Sequence, residues 1–78
     1  AIGTGVTATI DMISEAHHEI RNILNNNGLN GNESSIIYGG SVSDQNASEI
    51  SAINDVDGFL IGGASLDVNK FYSIYNQL

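Results

Sequence analysis

The chain has 78 residues, a formal net charge of −7 from two Lys+Arg against nine Asp+Glu, and no cysteine. That length holds one small unit, which buries only about 60% of its unfolded surface, and an apolar content of 41% sets it apart from a disordered acidic tail. The charge argues against nucleic acid, whose binding rests on many Lys and Arg contacts to phosphate; the absent thiols remove disulfides and thiolate metal sites.

No apolar run approaches the roughly 18 residues of a membrane span, and no signal-peptide pattern opens the chain. A cytoplasmic location without membrane contact is the expectation. Residues 1–8, AIGTGVTA, have loop composition and no helical or alternating period. They read either as a frayed terminus or as a glycine-hinged lid. Such an opening, with no element before it, suggests a piece of something larger.

Thr9 is a plausible N-cap, and Asp11 and Glu15 fall near the positive end of the helix dipole that follows. Ile10, Ile13, Ala16, His17, Ile20 and Leu24 recur at three-and-four spacing, predicting an amphipathic helix from about Ile10 to about Asn26. Gly28 is a candidate for the left-handed residue that closes it. Two Asn-Gly pairs, Asn27-Gly28 and Asn30-Gly31, have hairpin-turn chemistry, but a helix precedes them, so a loop is expected.

Ser35–Tyr38 reads as a strand buried on both faces, as in a parallel sheet. A polar turn at Ser43–Asn46 leads to a short helix over Ala47–Ile53, with Ile50 and Ile53 as its apolar contacts. Gly58–Ile61 is a second strand. The intervening stretch exceeds the dozen or so residues that a parallel crossover requires, and its hand should be right. A last helix, from about Asp67 to about Asn76, is expected to bury Val68, Phe71, Tyr72 and Tyr75. The result is a parallel α/β unit with two strands and open edges.

Both strands end in diglycines: Tyr38-Gly39-Gly40-Ser41, and Phe59-Leu60-Ile61 followed by Gly62-Gly63-Ala64-Ser65. Glycine permits positive φ and a close approach of backbone to ligand, so the two loops could hold one anion in a concavity of amides. Arg21 and Lys70 are the only fixed cations, which leaves most of that task to backbone N–H groups. Asp55 and Asp57 lie at the entry to the second strand, away from the strand C-terminal ends where such sheets place their sites. A structural pairing of one of them with Arg21 is the better reading, with Asp44 and Glu49 as solvated surface. Adjacent His17 and His18 lack the spacing of a zinc pair, so no metal is expected, and His17 reads as a packed structural residue. Tyr38 either packs in the core or offers its hydroxyl to a loop.

Three motifs, AIGTG at 1–5, YGGSV at 38–42 and GFLIGGASL at 58–66, give the chain its resemblance to the C-terminal third of triosephosphate isomerases. The resemblance covers the whole chain and implies an α/β fold, the C-terminal portion of a (β/α)₈ barrel: lid loop, helix, strand 7, helix, strand 8, helix. It implies that Gly3, Ser41, Gly62 and Gly63 donate amides to a substrate phosphate, and that residues 1–8 form part of a lid. Tyr38 would latch the lid near Ala8, and Ser41 near Gly5. Ile2 and Leu60 would form an apolar clamp over the catalytic carboxylate, raising its basicity by desolvation. Arg21 with Asp55 or Asp57 would be a structural ion pair.

The family's glutamate, lysine and histidine have no counterparts in these residues, so the 78-residue chain alone is expected to be inactive. Val6 and Ile10 stand where the family often has lysine and proline. No cofactor is implied. The expected partners are a triose phosphate, or inorganic phosphate or sulfate, and the N-terminal remainder of a barrel, with a second copy of the chain as an alternative. A non-catalytic phosphate-binding fragment that self-assembles is the competing reading.

Overall fold

The computed structural model describes residues 8–78. The expectations for Ile2, Gly3, Gly5 and the rest of residues 1–7 lie outside it. Helix α1 spans Ile10–Asn26. Thr9 caps it from an extended conformation, its Oγ1 accepting from the Met12 N–H at 3.2 Å, which satisfies one of the orphan amides of the first turn. At the other end Gly28 has a φ of 75°, and the Leu29 N–H returns to Leu24 O at 3.0 Å. Only here does a described glycine need positive φ. Gly28→Ala should therefore cost about 1–2 kcal/mol of stability, read from the urea midpoint, although nothing lies within 4 Å of the added methyl.

Strands β1 (Ile37–Tyr38) and β2 (Gly58–Phe59) pair in parallel, with Ile37 opposite Gly58 and Tyr38 opposite Phe59. Both are shorter than expected, but the ladder extends beyond them through Asp57 N to Ile36 O and Leu60 N to Tyr38 O, each 2.9 Å. Between them lies α2, Ala47–Ser51, which stops before Ile53. After β2 comes a 3₁₀ turn over Gly63–Leu66, which the sequence reading lacked, and then α3, Val68–Asn76. Asp67 caps α3, its Oδ1 accepting from Asn69 and Lys70 N–H groups at 2.9 and 3.2 Å.

The core is Ile13, Tyr38, Val42, Ala47, Ile50, Val56 and Ile74, flanked by Ala8, Ile53, Phe59, Ile61 and Ala64. Only the central part of the expected α1 stripe is buried, at Ile13 and His17, whereas Ile10 and Ile20 face solvent. Ile37 is exposed as well, so β1 is covered on the Tyr38 face alone. The described residues form a two-stranded sheet, and Ile37 lies on its uncovered face.

The largest correction concerns α3. Val68, Phe71, Tyr72 and Tyr75 are exposed, and Ile74 is the residue that is fully buried. The helix is turned by its polar end. Gln77 Oε1 accepts from Ser48 N–H at 2.9 Å, and its Nε2 donates to Asp44 O at 2.8 Å. Ser51 Oγ donates to Gln77 O at 3.2 Å. These bonds fix the Ile74–Gln77 side of α3 against α2. No helix among the described residues is long and apolar enough to cross a membrane.

Candidate functional site

Two groupings matter, at opposite ends of the strand pair. At the entry to the strands stands Arg21, on the inner side of α1. Its Nε donates to Asp55 Oδ1 at 2.9 Å, and its Nη2 to Asp57 Oδ2 at 2.9 Å and to Asp55 O at 3.1 Å. Nη1 donates to Gly31 O at 2.6 Å and to Ser34 O at 3.0 Å. The sequence left open which aspartate pairs with Arg21; both do. A planar guanidinium with several fixed donors can knit α1, the loop after it and the β2 entry in this way, which an ammonium cannot.

The cluster has further members. The Ile36 N–H donates to Asp57 Oδ2 at 2.8 Å. That bond, with the Arg21 guanidinium second, holds the Asp57 carboxyl below the ordinary aspartate range against the opposing effect of burial. Asp57 in turn leads the causes that raise the Arg21 pKa. His17 is buried, with Nδ1 3.2 Å from Asp55 O, and its ring lies 6.4 Å from that of Tyr38. His18 is exposed and reaches Asp55 Oδ2 at 3.2 Å. Gly31 is buried, and a Cβ there would lie 2.6 Å from Arg21 O and 2.8 Å from Asn25 Oδ1. Its importance was not legible, because Asn30-Gly31 carries the same signal as any loop pair.

At the C-terminal ends of the strands, the parallel register sends both diglycine loops out at the same end of the sheet. None of Gly39, Gly40, Gly62 and Gly63 takes positive φ, so the conformational part of the glycine argument does not apply. The steric part does, differently in each loop. A Cβ on Gly40 would collide with the Tyr38 hydroxyl, and one on Gly39 would sit 3.5 Å from the Leu60 Cβ. Beside Gly62 and Gly63 there is open space, with nothing within 4 Å of an added Cβ. Close packing explains Gly40 alone, since a Cβ on Gly39 would make only ordinary van der Waals contact; room beside the backbone characterises the second pair.

Tyr38 is buried, yet its hydroxyl has no hydrogen-bond partner among the described residues. Ser41 is partly buried, and its carbonyl accepts from Asn46 Nδ2 at 3.0 Å while Asn46 Oδ1 accepts from the Ser43 N–H at 2.8 Å. Asn46 thus shapes the loop that follows Ser41, a contribution the sequence did not signal. In the other loop Ser65 Oγ donates to Gly62 O at 2.5 Å, and the Ser65 N–H to the same oxygen at 2.9 Å. Leu60 is 67% exposed and Ala8 is half-buried. Lys70 lies exposed on α3 and Arg21 is engaged at the far end.

The chain is similar to known proteins along its length. The family model described as triosephosphate isomerase matches residues 1–78. The triosephosphate isomerase of Marinobacter nauticus is 51% identical over 74 residues, which cover 95% of this chain and 29% of that protein. That of Thermodesulfovibrio yellowstonii is 52% identical over 75 residues, covering 95% of this chain and 30% of the relative. That of Francisella philomiragia is 45% identical over 78 residues, covering 99% and 31%. The chain therefore spans about 30% of the length of these curated relatives.

Proposed function

Because the chain belongs to the triosephosphate isomerase family over residues 1–78, we propose that it is the part of such an enzyme that grips the substrate phosphate and forms half of the lid. The reaction served is the interconversion of dihydroxyacetone phosphate and glyceraldehyde 3-phosphate. The observation that carries this reading is the pairing of Tyr38 with Phe59, which brings YGGS and IGGAS out of one end of the sheet. Ser41, Gly62 and Gly63 offer amide hydrogens to the phosphate, and Gly3 joins them as the lid closes. An amide grip suits a chain whose arginine is engaged elsewhere and whose lysine lies on the outer face of α3.

Tyr38 is the latch in this reading, with its hydroxyl meeting the lid near Ala8, and Ser41 holds the lid near Gly5. A buried hydroxyl without a partner among the described residues supports that part, since such a group costs about 1–3 kcal/mol until it is paired. Tyr38→Phe should leave the thermal stability of the 78-residue chain equal or higher. In the complemented enzyme the same change should lower kcat/KM by weakening closure. Exposed Leu60 is available to meet Ile2 as the apolar clamp.

These residues contribute no catalytic base or electrophile. An isomerase assay on the 78-residue chain should show no turnover, and activity should return only with the N-terminal portion of a barrel. Turnover by the chain alone would refute the reading. In the complemented enzyme, Gly63→Ala should lower kcat/KM at least about tenfold with an unchanged melting curve, because its Cβ fills open space.

One observation favours association as a second reading. Leu66, Val68, Tyr72 and Tyr75 leave an apolar stripe in water, which small monomers rarely tolerate. Either the barrel remainder or a second copy covers it. Size exclusion of the chain alone, and mixed with the complement, distinguishes the two.

A further inference from the structure

We infer that Asn27 is a site of spontaneous deamidation, and that Asn30, in the same dipeptide context, is protected by the fold. The backbone nitrogen of the following residue is the nucleophile in this chemistry. It gives up its proton to solvent base and attacks the asparagine Cγ. The N–Cγ bond forms, the Cγ–Nδ2 bond breaks, and the side-chain nitrogen leaves as ammonia with a proton from water. Water then opens the cyclic imide at either carbonyl, leaving aspartate or isoaspartate. No electrons are exchanged, and water is the only co-reactant.

Glycine next to asparagine removes the side chain that would obstruct the attack, so both pairs qualify by sequence. The structure separates them. The Gly28 N–H makes one long bond, 3.3 Å to Asn25 O, at the exposed end of α1, and nothing stands within 4 Å on its Cβ side. The Gly31 N–H is held by Asn25 Oδ1 at 2.8 Å and by Leu29 O at 3.0 Å. Gly31 is buried, and its carbonyl is gripped by Arg21 Nη1 at 2.6 Å. Freeing that nitrogen means opening the Arg21 cluster, whereas freeing Gly28 requires only the fraying common to helix ends. The Asn27 side chain has one tether, Nδ2 to Ile23 O at 2.7 Å.

Conversion has a structural cost. A carboxylate at residue 27 cannot donate to Ile23 O, and it adds negative charge at the negative end of the α1 dipole. The last turn of α1 should loosen.

The test is incubation of the chain at mildly alkaline pH, followed by peptide mapping that separates aspartyl from isoaspartyl products. The Asn27 peptide should convert at least about tenfold faster than the Asn30 peptide, and the two rates should converge in denaturant. Gly28→Ala should slow conversion at Asn27. Asn25→Ala, which removes an acceptor from the Gly31 N–H, should quicken it at Asn30. Equal rates in the native chain, faster conversion at Asn30, or a rate difference that survives in denaturant would each overturn the inference.

Discussion

Replacing Arg21 with alanine is expected to lower the urea midpoint of the chain more than any other single polar substitution. The change removes the donor shared by Asp55, Asp57, Gly31 O and Ser34 O, leaving two carboxylates close together without their cation. Removing one partner of such a network does more harm than the net value of the network suggests, because the remaining groups keep their desolvation penalty. Arg21→Lys should not rescue the loss, since one ammonium cannot span acceptors on three segments. A midpoint unchanged in Arg21→Ala would remove the cluster from any account of the fold.

The same cluster sets an acid limit. The folded-state pKa of Asp57 is depressed, first by the Ile36 N–H and then by Arg21. A depressed carboxylate binds its proton less readily in the folded than in the unfolded chain. Its contribution is therefore fully present above the unfolded value of about pH 4, and is lost as pH falls through the folded value below that. Asp57→Asn should flatten this part of the stability profile. An equally steep acid loss in that variant would assign the effect to another group.

Ile74→Ala and Ile50→Ala are each expected to cost about 2–5 kcal/mol, the range for deleting a buried branched side chain and leaving a cavity. Both are fully buried, and in a chain this short the loss is a large part of the total stability. Leu66→Ala and Val68→Ala, at 91% and 82% exposure, should stay within about 0.5 kcal/mol. Urea unfolding of the Ile74 and Val68 variants compares the two faces of α3. A larger loss at Val68 than at Ile74 would mean that the helix is turned the other way.

The Arg21 cluster and the inner face of α3 also mark how far the sequence could be read. The bounds of α1 were legible because their causes are local: Thr9 caps within one turn, the apolar spacing is continuous, and Gly28 tolerates the left-handed conformation. The strand order and parallel pairing followed from two apolar runs separated by a helix-length crossover. For α3, however, Phe71, Tyr72, Tyr75 and Ile74 all fit helical spacing, and nothing local says which side faces inward. Gln77 decides it by bonding to Asp44 O and the Ser48 N–H, groups distant in sequence. The diglycines were legible as a pair of loops but not as distinct environments. Only the folded chain sets Gly40 against the Tyr38 ring and leaves Gly62 and Gly63 open.

By itself, then, the amino-acid order determined family, the order of the α-helices and strands and the ends of α1, because capping, periodicity and motif act over a few neighbouring residues. The tertiary structure alone decided which face of α3 is inside, that Ile37 meets water, that both aspartates share Arg21, and that Gly31 rather than Gly28 is shielded. Each of these depends on which remote groups arrive within hydrogen-bonding or van der Waals range, and no local pattern encodes that arrival.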